Sequence, residues 1–205
     1  MKGAIEVLSV IIMTGILIAL VGTVYFWGLP LIQTHEDIST LRNAEIFMIS
    51  LEDKIKDVVN LGGSDRIELT VPHSILVYDG NKISLKIETK GTSYTEGAVI
   101  PLGINNCTMT EGIWGIHSFS VVCVTSECEG GTGKDCQKYL TTYELRYIKL
   151  NTETGLKSHK IEFIPTWKTL YGGEKNSIII ENKGYTEKNV DGRDLISAMI
   201  EINII

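Results

Sequence analysis

VLSVIIMTGILIALVGTVYFWGLPLI, residues Val7–Ile32, is the stretch that decides the fold of this chain. It contains no charged residue and no Asn, Gln or His, and it exceeds the ~20 residues that an α-helix needs to cross the hydrocarbon core of a bilayer. A segment in lipid must satisfy its own backbone hydrogen bonds, so the stretch is predicted to be a membrane-spanning helix. It is longer than the core of a secretory signal and has no small-residue cleavage site after it. We therefore expect the mature protein to retain it.

The residues that flank this run predict its orientation. Lys2 and the N-terminal amine precede it, whereas His35, Glu36 and Asp37 follow it. Because cytoplasmic flanks carry an excess of Lys and Arg, the remainder of the chain is expected outside the cell. The aromatic residues 25–27 stand near the outer end of the run, where membrane-interface belts form.

A second, amphipathic helical pattern follows from Gln33 onward. Apolar residues recur at steps of three and four, which is one stripe of a 3.6-residue helix, and they are Ile38, Leu41, Ala44, Met48, Leu51, Ile55 and Val58. Ile46, Phe47, Ile49 and Val59 widen the stripe, which suggests burial on more than one side. Either the head covers one side and neighbouring helices the other, or the helix packs only on its own domain. Gly62 and Gly63 are predicted to end the helix.

Small residues and one proline interrupt the apolar run. Gly15, Ala19 and Gly22 share one helical face and would permit close approach of another helix, although glycine is also common in membrane helices generally. Pro30 has no amide donor and clashes with the carbonyl four residues before it. We therefore expect a kink or local melting between Phe26 and Pro30.

The rest of the chain, residues 63–205, is predicted to form β-structure. Alternating apolar positions and regularly spaced turn residues predict short strands at Arg66–Val71, Ser74–Tyr78, Lys82–Thr89, Val99–Leu102, Ile113–Thr125, Tyr139–Leu150, Lys157–Ile164, Ser177–Glu181 and Ala198–Ile205. Asp79-Gly80-Asn81 is a hairpin signal between two of them. The predicted fold is therefore α+β: a long hydrophobic helix, residues 4–62, followed by an antiparallel, β-sandwich-like head.

Composition and motifs argue against several functions. The net charge is -6 and no basic block is present, so nucleic acid is not an expected partner. The run Gly130–Asp135 resembles a phosphate-binding loop but has Cys128 and Asp135 where that motif requires Gly and Ser or Thr. The four histidines are scattered, and no nucleophile elbow is present. We expect no catalytic residues, no metal and no cofactor.

All four cysteines lie in one short region of the head. Cys107, Cys123, Cys128 and Cys136 lack the paired C-x-x-C spacing of a zinc site, so disulfides are predicted. Cys128 and Cys136 bracket a hairpin loop, which favours that pair together with Cys107–Cys123. The pairing Cys123–Cys136 stays open as the alternative.

One modification motif is present. Asn106-Cys107-Thr108 is the single N-x-S/T sequence in the chain, and it makes Asn106 a candidate for N-glycosylation. A cysteine in the middle position, held in a disulfide, could restrict access to this site.

The N-terminus carries a family resemblance. Lys2-Gly3-Ala4-Ile5-Glu6 followed by an uninterrupted apolar helix resembles the start of archaeal type IV pilin-like proteins, including archaellins and adhesive pili. The resemblance implies a leader clipped between Gly3 and Ala4, although Glu6 would then be the third mature residue and the family usually places its Glu near the fifth. Alternatively, the chain begins at Met1 in its mature form. Glu6 either lies hydrated among headgroups or pairs with the amine of a neighbouring chain.

This resemblance also implies a function and partners. The protein is expected to be a structural subunit of an extracellular filament, inserted in the cell membrane before assembly and polymerising with copies of itself, for adhesion or surface contact. A leader peptidase, an assembly ATPase and a membrane platform are the implied partners. The alternative is a membrane-anchored extracellular binding module, or a minor pilin-like component of a secretion or sensing apparatus, that does not polymerise.

Overall fold

The computed structural model describes residues 2–80, 82–131, 136–165, 169–173, 176–190 and 192–204, with the backbone alone for residues 2–8 and 165. These residues form one helix, α1 (Lys2–Leu61), and twelve strands. The strands are β1 (Ser64–Glu68), β2 (Ser74–Asp79), β3 (Lys82–Thr89), β4 (Val99–Pro101), β5 (Glu111–Ile113), β6 (Ser120–Glu129), β7 (Lys138–Tyr147), β8 (Lys149–Asn151), β9 (Lys157–Pro165), β10 (Thr169–Tyr171), β11 (Ser177–Val190) and β12 (Arg193–Ile204).

The strands form two six-stranded sheets. Sheet A has the order β1-β11-β12-β9-β8-β5, and sheet B has the order β10-β2-β3-β7-β6-β4. Neighbouring strands are antiparallel except for the pairs β9–β12 and β5–β8, which are parallel. The α+β class and the mostly antiparallel head are confirmed, and the two parallel pairs are an addition that alternation in the sequence does not reveal.

The second half of α1 is part of the core of the head. It packs against β1, β11 and β12 of sheet A and against β3, β6 and β7 of sheet B. The buried residues of the helix belong to the same hydrophobic cluster as both sheets, and they are Leu41, Ala44, Phe47, Met48, Leu51, Ile55, Val58 and Val59. Burial of each large side chain stabilises the fold by roughly 1.5–3 kcal/mol.

For most of the amphipathic stripe, this burial favours the second of the two arrangements that the sequence left open, in which the helix packs on its own domain. Both sides of the stripe are covered by the two sheets of the same chain, because the wide apolar surface fits between them. Ile38 and Ile46 are exceptions, since they are 40% and 54% exposed. Beyond the helix the sheets meet directly: Phe163 of β9 packs edge-on against Tyr78 of β2 and Tyr147 of β7, with ring centroids 6.0 and 5.2 Å apart.

The helix is continuous through Pro30, so of the two expected effects, a kink or local melting, the melting does not occur. A proline removes one backbone donor, and the hydrogen bonds of the turns on either side hold the helix together. The Thr34 hydroxyl adds a bond to the Pro30 carbonyl, at 2.9 Å. The helix ends where expected: Gly62 and Gly63 adopt φ values of +75° and +84°, which favour glycine.

Several strand predictions differ from the structure. The predicted strand Tyr139–Leu150 is divided, because β7 ends at Tyr147 in sheet B and β8 begins at Lys149 in sheet A. The predicted strand Ile113–Thr125 is divided, because β5 ends at Ile113, a turn follows, and β6 begins at Ser120. The predicted strand Ser177–Glu181 is longer in the structure: β11 has a break in its register at Gly184 and continues to Val190 along β12. Glycine at a positive φ (+98°) accommodates this bulge without ending the strand.

The disulfides close one crossing loop and one hairpin. Cys107 is bonded to Cys123, and Cys128 to Cys136, so the alternative pair Cys123–Cys136 does not form. The second disulfide joins Cys128, near the end of β6, to Cys136, two residues before β7, and these two strands pair antiparallel. Asp79-Gly80-Asn81 connects the antiparallel strands β2 and β3, with Gly80 at φ +57° and Asn81 outside the described residues.

Candidate functional site: the uncovered helix

The first half of α1 projects from the head with no covering. In residues 9–32, here called the uncovered segment, the side chains are exposed on every face of the helix, apart from a partly buried Gly28. Val10, Ile18 and Val24 are 66%, 69% and 70% exposed. At 1.5 Å per residue the segment is about 36 Å long, against about 30 Å for the hydrocarbon core of a bilayer. The helix is long and apolar enough to cross a membrane, a test that an N-terminal signal sequence also passes.

Three small residues form an open strip on this segment. A Cβ atom added to Gly15 or Gly22 would meet no atom within 4 Å, and Ala19 between them is exposed. Spacings of four and three residues put all three on one face. The structure thus brings the predicted small residues together, and no described part of the chain fills the space beside them.

The aromatic residues of the run are also at the surface. Tyr25, Phe26 and Trp27 are 69%, 79% and 76% exposed. Three consecutive helical residues point in directions about 100° apart, so large aromatic side chains surround the helix at this level. This arrangement suits either a membrane interface or packing against several neighbouring helices.

Side chains from both sheets bond to backbone carbonyls of α1 within the head. From sheet B, the hydroxyl of Tyr143 donates to the Leu41 carbonyl at 2.7 Å. From sheet A, the amide of Asn182 donates to the Val58 carbonyl at 3.0 Å, and the hydroxyl of Tyr185 to that of Val59. The contacts lie at opposite ends of the buried half of the helix, so they fix its position along its axis.

A carboxylate holds the helix where it leaves the head. Asp37 accepts hydrogen bonds from the backbone N–H groups of Lys90 and Gly91, at 3.0 and 2.9 Å, directly after the end of β3. Charge-assisted bonds of this kind are stronger than neutral ones. The direction in which the uncovered segment projects is therefore set by α1 and β3 together.

Tyr143 belongs to a small network that stays un-ionised. Its oxygen lies 3.0 Å from the hydroxyl oxygen of Tyr94, which donates to the Glu45 carboxylate at 3.1 Å. Burial, together with the hydrogen bond to Tyr94, raises the pKa of Tyr143 well above its usual value, and burial also raises the pKa of Tyr94. Both hydroxyl groups therefore keep their protons and act as donors at physiological pH.

One carboxylate of the helix is buried in the head. Glu52 is 8% exposed, and it accepts a hydrogen bond from the Ser120 hydroxyl and forms an ion pair with Lys56, one turn further along. A buried charge without partners would be strongly destabilising. Glu52 is thus paired from its own helix and from β6.

Two residues of the predicted stripe are exposed in the structure. Ile38 and Ile46 were assigned to the amphipathic stripe, yet both have a large exposed fraction. They are exposed apolar side chains beyond the uncovered segment, on the part of α1 that lies beside the head. The signal in the sequence was the excess width of the stripe, which exceeds what one face of a helix needs.

The remaining predicted residues do not gather around a second site. Asn106 is exposed on the loop between β4 and β5, far along the chain from the helix. The backbone of Gly3, Ala4 and Glu6 belongs to α1, but their side chains lie outside the described residues, as do residues 132–135 of the phosphate-loop resemblance. Among the described residues no group of three or more His, Cys, Asp or Glu could hold a metal ion.

Comparison with known proteins gives one match. A family model with the description "Family of unknown function (DUF7289)" matches residues 3–109, which is just over half of the chain and includes α1 and the first four strands. No curated protein and no solved structure matches.

Proposed function

The chain belongs to the DUF7289 family, whose function is unknown, and we propose that it is a structural subunit of an extracellular helical filament that polymerises through α1. The observation that carries this proposal is the uncovered segment, an apolar helix exposed on all sides yet continuous with a helix fixed in the core of a folded head. Such a surface is not stable in water. It requires either lipid or other protein around it.

Polymerisation exchanges one apolar environment for another. Before assembly the uncovered segment lies in the cell membrane, and on assembly it moves from lipid into a bundle of identical helices. Lipid tails are as apolar as leucine side chains, so close packing and not the hydrophobic effect must favour the bundle. The strip formed by Gly15, Ala19 and Gly22 is open in the free chain and allows backbones to approach closely.

The firm attachment of α1 to its head supports this assignment. A subunit in a filament must hold its head at a constant position relative to the helical core. The contacts of Leu41, Val58 and Val59 with both sheets, and those of Asp37 with the end of β3, supply that rigidity. A simple membrane tether needs no such coupling, because a flexible linker would serve equally well.

The buried stripe limits where neighbouring subunits can touch. The buried apolar residues between Leu41 and Val59 already belong to the core formed with both sheets, so subunit contacts must use the uncovered segment and the exposed side of the buried half. Ile38 and Ile46 are exposed apolar side chains of this part of the helix. Burial of each between subunits excludes water, at about 25 cal/mol per Å² of apolar surface.

The resemblance to archaeal type IV pilin-like proteins completes the proposal. It implies a leader peptidase that cleaves between Gly3 and Ala4, an assembly ATPase and a membrane platform. It also suggests that Glu6 pairs with the N-terminal amine of a neighbouring chain. The head then lies outside the cell, the filament serves adhesion or surface contact, and the protein has no catalytic activity.

Imaging of the native cell surface tests the proposal. Filaments that are sheared from cells and labelled by an antibody against the head are the expected result. Cells that display the protein only as dispersed, detergent-extractable monomers would contradict it. The identity of the N-terminal residue of the sheared protein tests processing in the same material.

The second candidate is a membrane-anchored extracellular binding module that never polymerises. The length of the uncovered segment favours this candidate, because the segment is long enough to span the hydrocarbon core of a bilayer by itself. A helix that stays in lipid needs no contacts with other copies of the chain. In this case the strip of small residues would face lipid, and substitutions there would leave the distribution of the protein unchanged.

A further inference from the structure

Asn106 lies on a loop that joins the two sheets. The chain leaves β4, at the edge of sheet B, and crosses to β5, at the edge of sheet A. Asn106 and Thr108 are exposed on this crossing, whereas Cys107 between them is partly buried and bonded to Cys123 of β6. The disulfide therefore fixes the middle residue of the motif and leaves the two outer residues in solvent.

The local geometry presents the side chain of Asn106 for modification. Its Oδ1 accepts a hydrogen bond from the backbone N–H of Thr108 at 3.4 Å, and its backbone carbonyl accepts one from Met109 at 3.0 Å. This Asx-type turn brings the carboxamide next to the residue whose hydroxyl group completes the motif. No hydrogen bond from Nδ2 of Asn106 to another described residue is formed, so the reacting nitrogen is accessible.

The adjacent residue, Asn105, differs from Asn106 in its exposure and in the hydrogen bonds of its Nδ2. Asn105 is 1% exposed, and its Nδ2 donates to the backbone carbonyls of Ser118 and Ser120 at 2.6 and 2.7 Å. These bonds tie the crossing loop to the start of β6. Asn105 therefore has a structural role, and Asn106 is the one of the two that can react.

We propose that Asn106 is the attachment site of an N-linked glycan. In the reaction Nδ2 of Asn106 attacks the anomeric carbon of a glycan carried on a polyprenyl phosphate or diphosphate. A bond forms between nitrogen and that carbon, the bond from the carbon to the phosphate oxygen breaks, the lipid-linked phosphate leaves, and the amide nitrogen releases one proton. No oxidant or reductant is needed. The transferase and its lipid-linked donor act on the outer side of the membrane.

The position of the glycan is compatible with the rest of the molecule. The loop lies at the rim formed by edge strands β4 and β5, outside the set of strands that hold the helix. Ile104 is 88% exposed two residues before Asn106. A glycan at Asn106 would cover this apolar side chain while leaving the uncovered segment free.

Mass spectrometry of the full chain from native cells tests this site. Digestion with trypsin after reduction gives one peptide, residues 91–134, that contains both asparagines. We expect the mass of a glycan on this peptide, with fragment ions that place it on Asn106. N106Q and T108A should each remove it completely, whereas T110A, two residues beyond the motif, should retain it. Unmodified Asn106 in protein that has reached the cell surface overturns the inference.

Two further outcomes keep this inference separate from the filament. It relies on the proposed function only for the location of the head outside the cell. A glycosylated protein that remains dispersed in the membrane would support the inference and contradict the filament. Filaments that contain unmodified Asn106 would support the filament proposal and contradict the glycosylation of Asn106. Because N106Q and T108A change exposed residues, their melting temperatures should equal that of the unmodified wild type, which excludes misfolding as the cause of a lost glycan.

Discussion

The hydroxyl group of Tyr143, on β7, donates a hydrogen bond to the backbone carbonyl of Leu41, in the middle of α1, at 2.7 Å. Both residues are fully buried. The bond joins the long helix to the centre of sheet B, near the level at which the helix leaves the head. It makes the direction of the uncovered segment a property of the folded head.

Removal of this hydroxyl should weaken the attachment. We expect Tyr143→Phe to reduce the free energy of unfolding by about 1 kcal/mol, because a buried hydrogen bond is lost without loss of ring packing. Thermal unfolding of the full chain in detergent, followed by near-UV circular dichroism, measures the change. Tyr171→Phe is the matched control, since Tyr171 is 64% exposed. Equal melting temperatures for the two variants would show that the bond contributes nothing.

The strip of small residues should be required for assembly. Gly22→Leu is expected to lower the amount of filament sheared from cells at least tenfold, because a large side chain prevents close approach of a second helix. Gly28→Leu is the matched control: it lies six residues later, about 120° around the helix, and also has no atom within 4 Å of an added Cβ. If both variants assemble as wild type, the strip has no part in packing.

Contacts between subunits should extend onto the exposed side of the buried half of α1. Ile46→Lys is expected to reduce filament yield several-fold without a change in melting temperature, because Ile46 is already 54% exposed in the single chain. Ile104→Lys adds the same charge at a more exposed position on the crossing loop and should assemble normally. Filament yields that are the same for the two variants would restrict the interface to the uncovered segment.

The two disulfides should differ in their effect on stability. Replacement of Cys107 and Cys123 by Ser is expected to cost about 3 kcal/mol, and replacement of Cys128 and Cys136 about 2.5 kcal/mol, from the lengths of the loops that they close. Replacement of Cys107 and Cys123 should reduce stability by more than the loop length alone predicts, because Cys123 also packs with Val121 in a buried cluster. The denaturant midpoints of the two double variants show which disulfide contributes more to stability. A larger decrease in midpoint on loss of Cys128–Cys136 would contradict this prediction.

Acid should remove the contribution of one ion pair. The side chain of Lys54, at 2.6 Å, and the backbone N–H of Arg66 both bond to Asp65 and lower its pKa. A carboxyl group with a lowered pKa stabilises the fold above its unfolded-state pKa of about 3.9, and this contribution is lost as the pH falls through the folded-state value. At pH 7 the free energy of unfolding of the wild type should exceed that of Asp65→Asn by about 0.2–1 kcal/mol, and this difference should shrink as the pH falls below about 3.9.

A neighbouring carboxylate provides the control for this pH dependence. Asp57 is exposed on α1 and forms no ion pair within the described part of the chain. Asp57→Asn should therefore differ little from wild type at any pH. A difference between wild type and Asp65→Asn that stays constant from pH 7 to pH 2 would rule out the ionised carboxylate as its source.

The long helix and its end could be predicted from local chemistry. The signals for this helix depend only on residues close in sequence: a run without charge, a stripe with a 3.6-residue period and a final pair of glycines. The helix ends at Leu61, directly before Gly62 and Gly63. The continuity of the helix past Pro30 could not be predicted, because a proline in a helix interior either kinks the helix or breaks it. Cys128–Cys136 followed from the hairpin that the two residues bracket.

The arrangement of the two sheets around the helix could not be predicted. The contact of Tyr143 with Leu41 joins residues 102 positions apart, and nothing local to either residue encodes it. The parallel pairing of β9 with β12 likewise depends on how the chain crosses the sheet. For the same reason the sequence could not decide whether the stripe of α1 serves its own head or neighbouring subunits.

Photo-crosslinking from the uncovered segment tests the central claim most directly. Phe26 is 79% exposed, and replacement by benzoyl-phenylalanine keeps an aromatic side chain at that position. Irradiation of surface material should give a ladder of covalent oligomers of this chain, whereas the same replacement at Tyr171 on the head should give little or none. Adducts with lipid alone at position 26, with no oligomers, would contradict the proposal that this helix packs against copies of itself.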